Sequence, residues 1–505
     1  MEGFIEGLKN VNGAVNNVVW GVPALTLLIG TGILMTILTK FFQFGKIKLW
    51  WGETIGKLFK KKGVRTNTDK HSISQFQALC TALSATIGTG NITGVALAIA
   101  TAGPGAVFWM WIAAIVGMMT NYSENVLGIY YRRRNPKGEW SGGAMYYLKD
   151  GLGGKKNLKT LGKVLAILFS IFAVVASFGI GNMGQVSSIR ASVTTAIQNA
   201  TGTTINGVWI GVILMVIAGL VVIGGLQRIA KINERIVPFM AGFYILGSLI
   251  IICMNIGNLG PAFGSIFAGA FSFKAAAGGV GGYVISQTIT WGFKRGVFSN
   301  EAGLGSSVMV HSTSNVKEPV VQGMWGIFEV FMDTIIVCTM TALVILTSGV
   351  VDLETGATVV EGVDSLGLAT AAFTRNFGSF GGIFVATAVT LFAFSTTLGW
   401  SFYGTKSWEF LFGTKSTIAY KVIFILAILA SSVMDTSLAV DLSDTFNGLM
   451  SLPNLIGVIF LSGTVVKITK NYLNRKVRGS NEKPMLSAFE NIQAEAEADL
   501  ANEEE

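Results

Sequence analysis

Ser84-Ala85-Thr86-Ile87-Gly88-Thr89-Gly90-Asn91-Ile92-Thr93-Gly94 lies in the middle of an apolar stretch at about 73–101. A glycine inside a helix costs about 1 kcal/mol relative to alanine and tolerates angles that other residues avoid. Two of them around Thr89 therefore predict an interrupted helix. The alternative reading is close helix packing through small residues. An interruption would free backbone N–H groups at Thr89, Gly90 and Asn91. Such amides at a half-helix N-terminus, with about half a positive charge behind them, suit a carboxylate. Freed carbonyls suit Na⁺ or an ammonium group.

The rest of the chain fits that reading. It has 505 residues, 51% of them hydrophobic and only 13% charged, against about 25% charged in ordinary soluble domains. Val18–Leu38 and Val164–Ile180 are long apolar runs of the kind that cross a bilayer as helices. The alternation of a β-barrel strand is missing. The net charge of +9 sits in short loops between the runs, which is the positive-inside pattern and not a nucleic-acid-binding face. Cys80, Cys253 and Cys338 all lie inside apolar runs, and His71 and His311 lie far apart. Neither set forms a disulfide framework or a metal centre. Met1–Asn16 lacks the basic start of a cleavable signal, so the first run is expected to be a retained span.

About eleven spans are expected, at about 17–40, 73–101, 105–131, 163–188, 206–226, 237–258, 280–310, 320–348, 380–404, 417–434 and 444–466. The stretch 259–282 is expected to hold a short helix at the outer surface. Basic loops follow alternate spans: Lys46–Arg65, Arg132–Lys163 and Arg228–Arg235 are examples, whereas Asp352–Asp364 is acidic. That puts the N-terminus outside and the C-terminus in the cytoplasm of a multi-pass cell-membrane protein. The organisation is a leading helix and basic loop (1–72), a first five-helix repeat (73–258), an outer segment with a second five-helix repeat (259–466), and a cytoplasmic tail (467–505) whose last residues are expected to be solvated and disordered.

Five helices is an odd number, so the second set enters the membrane with opposite polarity to the first. That is the parity of the inverted repeats of secondary transporters. The corresponding helix of the second half reads Thr290-Trp291-Gly292-Phe293-Lys294-Arg295-Gly296, and a second interruption is expected there, with free carbonyls near Thr290–Phe293. A zwitterionic amino acid needs both an amide cradle and a carbonyl cradle. The fold class is thus an all-α polytopic membrane protein with discontinuous first and sixth core helices.

Three segments carry a family resemblance: Ala-Thr-Ile-Gly-Thr-Gly-Asn-Ile-Thr-Gly at 85–94, Trp-Ser-Gly-Gly-Ala-Met-Tyr-Tyr at 140–147, and Phe-Lys-Arg-Gly-Val-Phe-Ser-Asn-Glu-Ala-Gly-Leu-Gly-Ser at 293–306. With them the chain, over about 17–475, resembles the alanine/glycine:cation symporters, also called sodium:alanine symporters. The resemblance implies a core of the inverted-repeat type first seen in a bacterial leucine transporter, with one extra leading helix. It implies import of a small neutral amino acid, with Na⁺ as coupling ion and no other cofactor. It further implies a sodium site made of the carbonyls of Ser84, Ile87 and Ala393 and the hydroxyls of Thr396 and Thr397. Residues three and four apart share a helix face, which suits that set. The competing reading is that Ser395, Thr396 and Thr397 bond their own helix backbone. Substrate contacts are implied for Gly90, Asn91, Gln185, Phe293, Thr396 and Trp400. Plain packing for Phe293 and interfacial anchoring for Trp400 are the alternatives.

Glu124, Glu301, Glu329, Asp333, Asp441 and Asp444 fall within or near spans, where a charge is a functional candidate by default. Glu124 and Glu301 are expected to pair with Lys294, Arg295 or Arg132–Arg134. Glu329 and Asp333, four apart, are expected to share a helix face, and a proton relay through either is the rival to sodium. A glutamine or serine preference is the rival to alanine. No His-Glu-x-x-His, Gly-x-Ser-x-Gly or Walker A pattern occurs in the sequence, so a zinc protease, an α/β-hydrolase and a P-loop ATPase are excluded.

Overall fold

The computed structural model describes residues 2–60, 62–67, 69, 71–271, 281–434 and 436–504; for 2–5, 62, 63, 281–286 and 502–504 it describes the backbone alone. An amphipathic helix α1 (Glu2–Val19) precedes the leading span α2 (Val22–Leu38). The expected span at about 17–40 begins within α1, and the two helices part at Trp20–Gly21, where a β-carbon on Gly21 would sit 2.3 Å from the Asn17 carbonyl oxygen.

The first repeat follows as α3 (Gln75–Thr86), α4 (Thr93–Ala102), α5 (Gly105–Tyr130), α6 (Lys159–Phe178), α7 (Gly184–Thr201), α8 (Gly207–Ile223) and α9 (Gly225–Met254). Helix α10 (Leu259–Ala270) is the short helix expected before the second repeat. The second repeat comprises α11 (Gly281–Asn300), α12 (Val308–His311), α13 (Pro319–Val330), α14 (Thr339–Thr347), α15 (Leu368–Phe377), α16 (Ser379–Phe412), α17 (Thr417–Ala430) and α18 (Ser437–Arg478). Wide π-type turns join α6 to α7 over Gly179–Met183 and α13 to α14 over Phe331–Cys338, so each pair runs on as one span. Among the described residues, seven helices are long and apolar enough to cross a membrane, and the bent pair α3–α4 makes an eighth. With α8, α11 and α17, helical segments stand at all eleven expected positions. Helix α5 packs against α11 and α13, α11 against α4, and α7 against α16.

The first break falls where the sequence places it. Helix α3 starts on a Ser74–Gln77 capping box, and the chain bends by 61° before α4. Ile87 leaves the helix at φ −78°, ψ 88°, Gly88 is extended, and Thr89–Asn91 form one 3-10 turn.

The second break does not fall at Thr290–Gly296. Helix α11 is continuous there and ends at Asn300. Gly292 and Gly296 serve close packing instead: a β-carbon on Gly292 would lie 2.6 Å from the Ala106 carbonyl oxygen, and one on Gly296 3.0 Å from Ala113 Cβ. The chain breaks at Glu301–Ser307. Glu301 (φ +55°), Gly303 (φ +93°) and Gly305 (φ +74°) take left-handed backbone angles before α12 begins. Glu301 folds back over this turn, its carboxylate accepting from Ser306 Oγ at 2.5 Å.

The tail differs from expectation too. Helix α18 carries on to Arg478, and a further helix, α19 (Glu490–Glu504), docks on the body. Ile492 and Ala496 are buried, Ala488 N donates to Tyr130 O at 2.9 Å, and Glu495 and Asp499 pair with Arg134 and Lys317. A few apolar anchors and opposite charges thus order a segment that composition alone marks as solvated.

Candidate transport site

The site is built where α3 ends and α16 passes it. The Ser84 and Ile87 carbonyls are the last of α3, and a helix cannot satisfy its own last carbonyls. Ser395 Oγ lies 3.5 Å from Ser84 O, and Thr396 Oγ1 lies 3.5 Å from Ile87 O. Both hydroxyls also stand 2.9 Å from Phe392 O in their own helix. An ordinary O–H···O bond is about 2.7–2.8 Å, so Phe392 O takes the hydrogens and hydroxyl lone pairs are left toward the α3 carbonyls. Four neutral oxygens, the carbonyls of Ser84 and Ile87 and the hydroxyls of Ser395 and Thr396, thus face one another in a buried place, with Phe392 O holding the hydroxyl hydrogens away. Such an all-oxygen set suits a hard monovalent cation.

The expected ion ligands are therefore only partly gathered. Ser84, Ile87 and Thr396 come together, while Thr397 Oγ1 donates to Ala393 O at 3.0 Å within α16. The structure sets the α16 face one residue earlier, on Phe392 and Ser395. Ser84 is also fixed from behind, its hydroxyl accepting from Asn233 Nδ2 at 2.8 Å.

The amides of Thr89 and Gly90 head the half-helix leading into α4. Gly88 is needed for contact: a β-carbon there would lie 2.7 Å from Thr396 Oγ1 and 3.7 Å from Gln185 Oε1. Gln185 donates through Nε2 to Ile180 O at 3.0 Å, and its Oε1 is buried without a partner among the described residues. It therefore presents an acceptor beside the break. Phe298, and not Phe293, adjoins Gly90, at 3.6 Å from where a β-carbon would be. Phe293 packs on Trp109, ring centroids 6.0 Å apart. Trp400 is buried against Gly181, where a β-carbon would lie 2.3 Å from Trp400 Cβ. Asn91 does not point outward for a ligand: its side chain accepts from Gly88 N and donates to Ser299 and Asp333.

The buried acids take partners other than those expected. Asn454 donates to Glu124, Glu329 meets His311 Nε2 at 2.9 Å, and Asp333 meets Asn91, so Glu329 and Asp333 are not a pair. Lys294 lies 3.9 Å from Asp444, and Arg132 is capped by the carbonyls of Ser312, Ser314 and Val316.

Toward the acidic loop, a cavity of about 1080 Å³ runs down to Thr93 and Ser188 between α7, α15 and α16. Toward the basic loops stands the hairpin β1 (Arg133–Arg134) and β2 (Trp140–Ser141). Ser141 and Asn135 donate to Glu409 at 2.8 and 3.2 Å, and Lys406 closes the cluster onto Ser141 and Glu409 at 3.0 and 3.1 Å.

Residues 5–486 match the sodium:alanine symporter family. The sodium/alanine symporter AgcS of Methanococcus maripaludis is 42% identical over 91% of this chain and 96% of its own. The probable sodium/glutamine symporter GlnT of Bacillus subtilis is 36% identical over 94% and 92%. Among solved structures, MhsT in complex with L-phenylalanine aligns with a TM-score of 0.53 at 14% identity, over 80% of this chain and 99% of that one, which is a likeness of fold. A multi-pass transporter and not an enzyme, this chain belongs to the sodium:alanine symporter family.

Proposed function

We propose that the protein imports small neutral amino acids, alanine or glycine, across the cell membrane together with Na⁺ by alternating access. The observation that carries this reading is the convergence of four neutral oxygens from Ser84, Ile87, Ser395 and Thr396 beside the glycine-flanked amides of Thr89 and Gly90. An ion there would pull the end of α3 onto α16, and with it the amides that receive the substrate carboxylate. Each ligand then favours the arrangement the other needs, which is what coupling requires. Phe298 and Trp400 line the place where a side chain would project, which favours a small one. The likeness to the sodium/alanine symporter AgcS supports alanine; that to the probable sodium/glutamine symporter GlnT makes glutamine the competitor to test.

The repeats at 73–258 and 259–466 would rock against each other, exposing the site alternately through the cavity at the acidic loop and through the hairpin side. The basic loops make the hairpin side cytoplasmic, with the N-terminus outside. Uptake of labelled alanine, glycine and glutamine into proteoliposomes is the test. Uptake driven by a sodium gradient supports the proposal, and uptake driven by a pH gradient alone, indifferent to sodium, refutes it. Impermeant labelling of a cysteine at position 65 from outside intact cells would overturn the orientation.

A further inference from the structure

Two backbone amides, one in each broken helix, are held by asparagine side chains, and one buried carboxylate joins the two arrangements. In the first break Gly88 N donates to Asn91 Oδ1 at 2.9 Å. In the second, Ala302 N donates to Asn300 Oδ1 at 3.0 Å. Asn91 Nδ2 in turn donates to Asp333 Oδ1 at 2.6 Å and to Ser299 Oγ at 2.9 Å, while Asn300 Nδ2 donates to Thr334 Oγ1 at 3.1 Å. Ser299 and Thr334 both donate to Asp333 Oδ2, each at 2.8 Å. A continuous run of hydrogen bonds therefore leads from Gly88 to Ala302, through residues that are all buried.

The centre of this run lies in the wide turn Phe331–Cys338. Neighbouring side chains on a regular α-helix do not face each other. Here the turn brings Thr334 Oγ1 onto Asp333 Oδ2, and π-type turns of this sort recur at functional sites. The chemistry at position 333 matters as well. A carboxylate only accepts hydrogen bonds, whereas an asparagine amide has a donor end and an acceptor end. Asp333 therefore turns the Asn91 NH₂ toward itself and the Asn91 oxygen toward Gly88. An amide at 333 would let Asn91 turn either way, and one way leaves Gly88 N facing a donor.

We propose that Asp333, acting through Asn91, and Thr334, acting through Asn300, are positioning residues that set the two breaks jointly, so that Thr89 and Gly90 are held in the shape that receives the substrate carboxylate. Neither residue touches substrate or ion. The proposal rests on the substrate reading above for its ligand, and on the hydrogen-bond run alone for its geometry.

The test is sodium-saturated uptake of labelled alanine by purified variants in proteoliposomes, with the maximum rate expressed per folded transporter. Asp333→Asn is expected to raise KM about tenfold, the effect of one buried donor losing its acceptor, and to leave the maximum rate within about twofold. Thr334→Val is expected to raise KM less, by about threefold. The exchange Asn91→Asp/Asp333→Asn restores the donor–acceptor order, since the carboxylate at 91 accepts from both Gly88 N and the amide at 333. It is expected to bring KM back to within about threefold of wild type. An unchanged KM in Asp333→Asn, with only the yield of folded protein reduced, would reveal a merely structural role and overturn the proposal. So would an exchange variant no better than Asp333→Asn.

A ligand-free measurement separates this outcome from failure of the alanine reading. Cys338 is buried, with its Sγ 3.4 Å from Asn91 Nδ2 and 3.3 Å from Ser299 Oγ. In a Cys80→Ala/Cys253→Ala background, maleimide labelling of Cys338 should speed up about tenfold in Asp333→Asn and slow again in the exchange variant, as the run opens and re-forms. Equal labelling in all three proteins would refute the joint setting whatever the substrate.

Discussion

The Thr396 hydroxyl faces the Ile87 carbonyl oxygen at 3.5 Å, and one residue earlier Ser395 faces Ser84 at the same separation. Thr397, next along, stays bonded within its own helix at 3.0 Å. The sodium dependence of alanine binding should follow this register. Ser395→Ala is expected to raise the half-saturating sodium concentration about tenfold, and Thr397→Ala to leave it within about twofold. By linkage, Ser395→Ala should weaken alanine binding at moderate sodium and recover it at high sodium. Equal shifts in the two variants would return the site to Ala393, Thr396 and Thr397.

Gly88 and Gly90 should fail for different steric reasons. A methyl on Gly88 would come within 2.7 Å of Thr396 Oγ1, between ion and substrate, so Gly88→Ala is expected to abolish sodium-stimulated binding. Gly90 has more room, its β-carbon position being 3.6 Å from Phe298. Gly90→Ala should retain measurable binding, and Gly90→Leu should not. Isothermal titration on purified protein distinguishes these outcomes.

Gly292→Ala is expected to destabilise folding by about 1–3 kcal/mol through overpacking against Ala106 and Trp109, and to leave the alanine KM of the folded fraction unchanged. A raised KM with an unchanged melting temperature would show that Thr290–Gly296 belongs to the binding site.

The docked tail should respond to salt. Arg134–Glu495 and Lys317–Asp499 are partly exposed, and ion pairs of that kind weaken as ionic strength rises. Protease cutting between Gly479 and Glu490 should therefore quicken from low to high salt. A chain ended at Leu486 should keep alanine transport within about twofold, because worth of this order is typical of exposed pairs. Loss of transport on that truncation would make the tail part of the working core.

The sequence analysis expects a break at both glycine pairs, and the structure has one only at the first; the spacing of the glycines accounts for the difference. Gly88 and Gly90 are two apart, so they cannot serve one packing face, and the helix breaks there. Gly292 and Gly296 are four apart, share a face and pack against α5. The same rule points to Gly303 and Gly305, inside the segment that carries the family resemblance, as the second break. The register of Ser395, Thr396 and Thr397 is a different matter. Three consecutive hydroxyls fit two ligand sets, and only the rotation of α16 against α3 decides between them. Phe298 is absent from the expected contacts: five residues from Phe293, it points to a different side of α11, toward Gly90, while Phe293 faces Trp109. The partners of Asp333 depend on a π-type turn, which no hydropathy pattern announces.

The cavity of about 1080 Å³ ends at Thr93, while at the break itself Phe298 stands 3.6 Å from where a Gly90 β-carbon would be and Trp400 is buried against Gly181. Pockets that hold drug-sized molecules span about 300–1,000 Å³. A compound too bulky to be carried can therefore lodge in the vestibule and jam the rocking motion without displacing cargo already seated below. Blockers found by screening this protein should accordingly divide into two kinds: slim mimics that extra alanine relieves, and wide ones that no amount of alanine will dislodge.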